Sequence, residues 1–325
     1  MDAGGTASWI GSIRKLARPF KGCWIESKRR YSPSNMNLVT PSLAYHLTRP
    51  LRPTTPVIFS SPHSGRDYDP QFLRQSVLDM RAIRSSEDAF VDQLLVTAPD
   101  HGASLLTARA PRAFIDLNRA PDELDPSVIE GIARVPHNPR ISSGLGVIPR
   151  VVAGGQSIYR GKLSLAEAEK RLRHYWHPYH DMLRQLLEET QHQFGEAVLI
   201  DCHSMPHEAI EAHGRAGRPL PEVVLGDRFG AAASGNVMDL IEAAFCRAGL
   251  RVVRNAPFAG AYIAQTYGRP TRNQHVVQVE IDRALYMDEA AIAPRPDFHQ
   301  FRAVMGDVVA EIAAFGKTSL PLAAE

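Results

Sequence analysis

The sequence predicts an α/β fold: a single-domain three-layer sandwich around a mixed, largely parallel central sheet. Three observations predict it. Short apolar runs of strand length alternate with longer amphipathic stretches of helical period. Several of those runs empty into polar residues at their C-terminal ends. No internal repeat and no domain-scale linker breaks the series.

Thr55–Ser60 (TPVIFS) is the first such run and reads as a buried strand closed by the turn-forming Pro62-His63-Ser64-Gly65. Ser85 to Leu95 reads as a helix, with a serine to cap it, acids in its first turn, and Phe90, Val91, Leu94 and Leu95 as an apolar face. Ala103–Ala108 and Ala113–Leu117 read as two further strands, the second running into Asn118-Arg119. Residues 120–160 are rich in Pro, Gly and Ser and lack periodicity, the mark of a functional loop inside a compact domain. Ser164 and Glu167 form a capping box for a long amphipathic helix to about Gln193. Ala197–Ile200 is a short strand ending in Asp201-Cys202-His203-Ser204. A helix from about Gly235 to Ala248 leads to a strand at Arg251–Arg254, and Val276–Ile281 is the last strand.

The bulk numbers exclude several classes. No window approaches the length of a membrane-spanning apolar run, so a transmembrane protein is not expected. A formal net charge of +2 gives no general attraction to nucleic acid or to an anionic membrane. Cys23, Cys202 and Cys246 are far apart, which disfavours a disulfide framework and a cysteine zinc site and fits a reducing, cytoplasmic setting. Residues 1–35 carry Arg14, Lys15, Arg18, Lys21, Lys28, Arg29 and Arg30 against Asp2 and Glu26. Residues 1–45 are therefore expected to be a basic, disordered N-terminal extension, and residues 46–325 the catalytic domain.

His63, His203 and Glu280 each sit at or beyond the C-terminal end of an apolar strand, the edge where open α/β sheets form ligand crevices. Two imidazoles plus a carboxylate, with one coordination position open, make a common catalytic zinc set. A further carboxylate can move protons between water and a leaving amine. Asp201 or Ser204 is placed to orient an imidazole from behind. His174, His177 and His180 spread over too wide an arc of their helix to act together and read as surface or packing residues. Cys202 reads as a small buried hydrophobe, since strand neighbours point to opposite faces.

P-H-S-G at 62–65, the acidic stretch at 86–92, I-D-L-N-R at 115–119, D-C-H-S at 201–204 and V-E-I-D-R-A-L-Y-M-D-E at 279–289 occur in that order. In this the chain resembles the N-formylglutamate amidohydrolases, whose fold is similar to that of the zinc carboxypeptidases and aspartoacylase-type deacylases. The resemblance implies hydrolysis of the N-acyl amide, formyl foremost, of a small acidic amino acid. It implies one zinc ion, or another divalent transition metal, held by His63, His203 and an acid from the 86–92 stretch. Relatives show D-T-D where this chain has Ser86-Glu87-Asp88, so Glu87 and Asp88 both remain candidates for the third ligand. It further implies Glu280 as general acid/base, and Asn118 with Arg119 as the grip on a substrate carboxylate. Arg112 is a second candidate for that grip. The expected partner is a small-molecule substrate, and the oligomeric state is not readable. Two alternatives stay open: a carboxypeptidase-like or other N-acyl-amino-acid metallohydrolase, and a non-catalytic binding protein.

Overall fold

Eight segments form the strands of one sheet: β1 (Leu38–Pro41), β2 (Tyr45–Arg49), β3 (Val57–Ser61), β4 (Ser104–Ala108), β5 (Ala197–Met205), β6 (Val223–Gly226), β7 (Val252–Arg254) and β8 (Gln274–Asp282). The structure is a computed structural model that describes residues 38–41, 44–132, 138–212 and 219–316, the first of these as backbone. The expected basic extension, up to residue 37, lies outside the described residues, whereas β1 and the first residue of β2 fall before the boundary expected at 46.

The sheet order is β1-β2-β4-β3-β5-β8-β6-β7. β3 runs parallel to both β4 and β5, β5 parallel to β8, and β6 parallel to β7. The β1–β2, β2–β4 and β6–β8 pairings are antiparallel. The sheet is therefore mixed and largely parallel, as expected.

Strand alternation sorts the core into two layers. Val57, Phe59, Val198, Ile200, Cys202, Val277, Val279 and Ile281 face one way, against the helices Gly235–Arg247 and Phe298–Ala313. Ile58, Ala197, Leu199 and Val276 face the other, against the helix His177–Phe194. Both faces are covered, which explains why the central strands read as nearly continuous apolar runs. Cys202 is buried in the first layer, as a small hydrophobe should be. Among the described residues no helix is long and apolar enough to cross a membrane.

The long helix starts where the serine cap placed it: the Ser164 side chain accepts from the Glu167 amide. It is interrupted by a π-helical turn at Leu172–Trp176, just before Pro178. That turn helps to seat His180, which is buried: one ring nitrogen donates to the Leu117 carbonyl, and the other accepts from the Tyr267 hydroxyl.

Two expected elements form differently. Ala113–Leu117 is not a strand. The Phe114 and Ile115 amides turn back onto the Pro111 carbonyl, and the Asp116 amide donates to Val147 across the loop. Of the expected helix at 85–95 only Val91–Leu94 is helical. Phe90 stands at φ 68°, a left-handed backbone that a helix cannot continue through. The apolar face of that segment is nonetheless used, since Val91, Leu94 and Leu95 are fully buried.

Candidate metal centre and substrate cleft

β5 and β8 carry the floor of the site in register. Asp201 pairs with Gln278, and His203 with Glu280, so four polar side chains point to the same face of the sheet at its C-terminal edge. β5 continues through Asp201-Cys202-His203-Ser204, so His203 is a strand residue rather than a loop residue. His63 arrives from the turn after β3. Gly65 completes that turn because a side chain there would collide with the Ala110 carbonyl, and the turn packs against backbone 109–110. Asp88 arrives from the turn before Phe90, fixed by a 3.0 Å hydrogen bond from its amide to the His63 carbonyl.

These residues converge. His63, Asp88 and His203 are all nearly fully buried and offer ligand atoms within 4.8 Å of one another. His63 Nδ1 lies 3.1 Å from His203 Nδ1, and Asp88 Oδ2 lies 3.0 Å from His203 Nδ1 and 3.4 Å from His63 Nδ1. Each imidazole is backed on its far side by a carboxylate: His63 Nε2 by Asp116 Oδ1 at 2.7 Å, and His203 Nε2 by Asp201 Oδ2 at 3.0 Å. A carboxylate only accepts, so with a metal at the centre each Nε2 would keep its proton for its carboxylate and each Nδ1 would turn a lone pair inward. Asp201 is itself held by the Ser60 hydroxyl at 2.8 Å. Ser204, the alternative support for an imidazole, instead accepts from Arg283 Nε.

The donor set fits a metal cation. Two nitrogen lone pairs and a carboxylate oxygen are what divalent zinc and its neighbours bind. The electrostatics agree. Burial opposes charge on His203, yet Asp201 and Asp88 raise its pKa well above the ordinary value, so the site stabilises positive charge between the two rings. Burial also opposes charge on Asp88, but hydrogen bonds from His203 and His63 hold its carboxyl well below the usual range. Burial is likewise overcome at Asp116, whose carboxyl is held low by His63 and Arg112.

Glu87 does not join this group, a correction to its candidacy as ligand. Its carboxylate is turned away and occupied by Arg84 Nε at 3.1 Å and the Tyr68 hydroxyl at 2.5 Å. Adjacent residues in a turn point apart, and Glu87's longer reach serves a buried ion pair instead.

Glu280 faces the same cleft. Burial pushes its carboxyl up to about 7, against the lowering effect of His203. Oε1 accepts from Gln278 Nε2 at 2.8 Å, while Gln278 Oε1 accepts from the Ala261 amide at 2.9 Å, so the carboxyl is oriented through β8 and its neighbouring loop.

Asn118, Arg119 and Arg112 line the cleft as well, which measures about 600 Å³. Asn118 is engaged at both ends of its amide: Oδ1 accepts from the Ile263 amide, and Nδ2 reaches Gln278 Oε1. Arg119 donates Nε to the Leu145 carbonyl and Nη1 to the Asn118 carbonyl. These two residues therefore brace the cleft wall. Arg112 uses Nε on Asp116 Oδ2 at 2.9 Å, and neither terminal nitrogen has a hydrogen-bond partner among the described residues.

Asp116 is the residue sequence reasoning passed over. It sits in I-D-L-N-R between the buried Ile115 and Leu117, and an acid enclosed by apolar neighbours was the available signal. Gln278 and Arg283 were passed over too. Arg283 donates to Asp88 Oδ1 at 3.0 Å and so fixes the carboxylate whose other oxygen faces the imidazoles.

The chain is also similar to known proteins over most of its length. The profile of the N-formylglutamate amidohydrolase family matches residues 55–287. An N-formylglutamate deformylase of Pseudomonas aeruginosa is 31% identical over 82% of this chain and 96% of its own length. One from Pseudomonas putida is 30% identical over 72% and 82%. The crystal structure of an N-formylglutamate amidohydrolase from Ralstonia eutropha JMP134 superposes with a TM-score of 0.80 at 32% identity, covering 86% of this chain and all of that one. A protein of Agrobacterium tumefaciens, 18% identical over 83% of this chain and 96% of its own, shares the fold with a TM-score of 0.55.

Proposed function

The chain belongs to the N-formylglutamate amidohydrolase family, and from that premise we propose that it hydrolyses N-formyl-L-glutamate to formate and glutamate at a zinc site formed by His63, Asp88 and His203. The observation that carries this reading is the convergence of two inward-facing Nδ1 atoms and Asp88 Oδ2 in the same cleft as the Glu280 carboxyl. When bound there, zinc supplies Lewis acidity toward a carbonyl oxygen and lowers the pKa of water.

The chain's own residues do the rest. Glu280 takes the proton of the water that adds to the formyl carbon. It then delivers that proton to the amide nitrogen as the C–N bond breaks, so formate and a free amine leave. A carboxyl pushed up to about 7 is poised to do both near neutral pH. Gln278 fixes Oε1, which leaves Oε2 as the oxygen that moves the proton. Arg112, with two terminal nitrogens available, pairs with the substrate α-carboxylate, and Asp116 orients it through Nε. Asp116 thereby couples the His63 ring to the substrate grip.

The test is formate release from a panel of N-formyl and N-acetyl amino acids by the metal-loaded enzyme and its Glu280→Gln variant. Glu280→Gln keeps the shape and removes the base, so kcat should fall by roughly 10²-fold or more with metal still bound. A variant with near-normal kcat would sink this mechanism. Turnover confined to acetyl substrates would move the chain to another acylamino-acid hydrolase activity.

A further inference from the structure

Four guanidinium groups line the cleft: Arg112, Arg119, Arg140 and Arg283. They differ in how many of their donors are already used. Arg283 is engaged at all three nitrogens, by Ser204 Oγ, the Ser85 carbonyl and Asp88. Arg119 is engaged at two and Arg112 at one. The Arg140 side chain makes no hydrogen bond among the described residues. It forms one long ion pair, with Glu123 at 3.9 Å, beyond hydrogen-bond distance.

We propose that Arg140 determines substrate specificity by pairing with the distal, side-chain carboxylate of a dicarboxylic N-formyl amino acid. This rests on the function proposed above and goes beyond it by assigning the second carboxylate.

Position and anchoring support the assignment. Arg140 lies in a short helical turn, Pro139–Ser142, whose cap residue Asn138 accepts the Arg140 amide at 2.9 Å. The Arg140 carbonyl accepts from the Leu145 amide at 2.8 Å, and the Leu145 carbonyl accepts from Arg119 Nε at 3.0 Å. The backbone beneath Arg140 is thus tied to the cleft wall, while its side chain stays 41% exposed and open to a ligand. A fixed base under a planar donor group with no hydrogen bond of its own is what recognition of a carboxylate needs.

The order of the arginines also matches the substrate. Arg112 is bound to Asp116, the carboxylate that backs His63, and so lies at the reacting end. Arg140 is instead tied to Arg119 through the Leu145 backbone, with no hydrogen bond to Asp116 or Asp88 among the described residues. In N-formylglutamate the α-carboxylate is attached to the carbon that bears the amide nitrogen. The side-chain carboxylate lies three bonds beyond that carbon. Arg112 therefore suits the first and Arg140 the second.

The test uses metal-loaded wild-type and Arg140→Gln enzymes with N-formyl-L-glutamate and N-formyl-L-glutamine, which has nearly the same shape and no side-chain charge. Wild type should favour the glutamate compound, and Arg140→Gln should lose about tenfold or more in kcat/KM on it, mainly through KM. Its kcat/KM on the glutamine compound should stay within about threefold of wild type. Arg140→Lys should restore part of the preference. Equal losses on both substrates, or a preference unchanged in Arg140→Gln, would overturn the proposal. Calorimetric titration with glutarate and with butyrate provides a second readout that needs no turnover. If wild type cleaves neither substrate, the proposed function fails, and the titration still decides on Arg140. Weaker glutarate binding by Arg140→Gln supports the pairing, and equal affinity for glutarate in the two enzymes refutes it.

Discussion

On the floor of the cleft Asp201, His203, Gln278 and Glu280 are carried by two adjacent strands in register, whereas on its rim Arg112, Arg119 and Arg140 hang from turns. The sheet sets the floor, because the β5–β8 ladder must shift before the backbone under any of those side chains can. The rim is set by a few local bonds: an Asn cap, a Leu145 carbonyl, the Asp116 carboxylate. The difference teaches where chemistry and where selectivity should reside. Changes to the floor should end turnover for every substrate, and changes to the rim should redistribute it among substrates.

The largest effect should come from the metal cradle. His63→Ala, His203→Ala and Asp88→Ala should each lose retained metal and cut formate release by at least about 10³-fold. Glu87→Ala should keep its metal, since that carboxylate is committed to Arg84 and Tyr68. Elemental analysis of the purified variants checks this, and an Asp88→Ala protein with full metal content would return the third position to Glu87.

Smaller effects, which probe the boundary between floor and rim, are expected behind the imidazoles. Asp201→Asn and Asp116→Asn should each weaken metal binding by roughly 10- to 100-fold in a chelator competition. Asp116 also holds Arg112, so Asp116→Asn alone should raise KM as well. Equal KM values in the two variants would show that the floor and rim are not coupled through Asp116.

The smallest effect on turnover is expected at His180, which braces the wall from behind through the Leu117 carbonyl. Burial lowers its pKa from 6.5 to about 3. The unfolded chain therefore takes up a proton that the folded one refuses. The contribution is complete above about pH 7 and drains away as pH falls, reaching about 3 kcal/mol of lost stability by pH 4. Denaturant midpoints measured against pH should fall more gently for His180→Gln than for wild type. Parallel curves would show that His180 does not titrate this way.

How much of this was legible in the sequence follows the same division. β3, β5 and β8 announced themselves because both faces of their strands are covered, and so did the two histidines and Glu280 at their ends. β5 was read too short because Asp201, His203 and Ser204 are polar, yet the strand continues under them to build the floor. Ala113–Leu117 imitated a strand because Ala113, Ile115 and Leu117 are buried at alternate positions while the backbone bonds turn back on the loop. The choice between Glu87 and Asp88 was open because it depends on a turn closed by the His63 carbonyl, a contact between residues distant in sequence. Arg140 was invisible for the same reason. Its place beside the cleft is set by Asn138, Leu145 and Arg119 together.

The two-residue spacing of Asp201 and His203, and of Gln278 and Glu280, also governs how this scaffold can diversify. Adding or deleting one residue inside β5 or β8 would rotate the polar pair beyond that point into the opposite layer, among Val237, Met238 and Met305. Such length changes should be lethal to the enzyme whatever residue is inserted. The exposed turn from 153 to 155 lines the cleft and contributes no strand to the sheet, so its length and composition can vary without disturbing that alternation. A laboratory search for enzymes that accept other acyl amino acids should therefore place its insertions and deletions there, and confine its changes in β5 and β8 to substitutions.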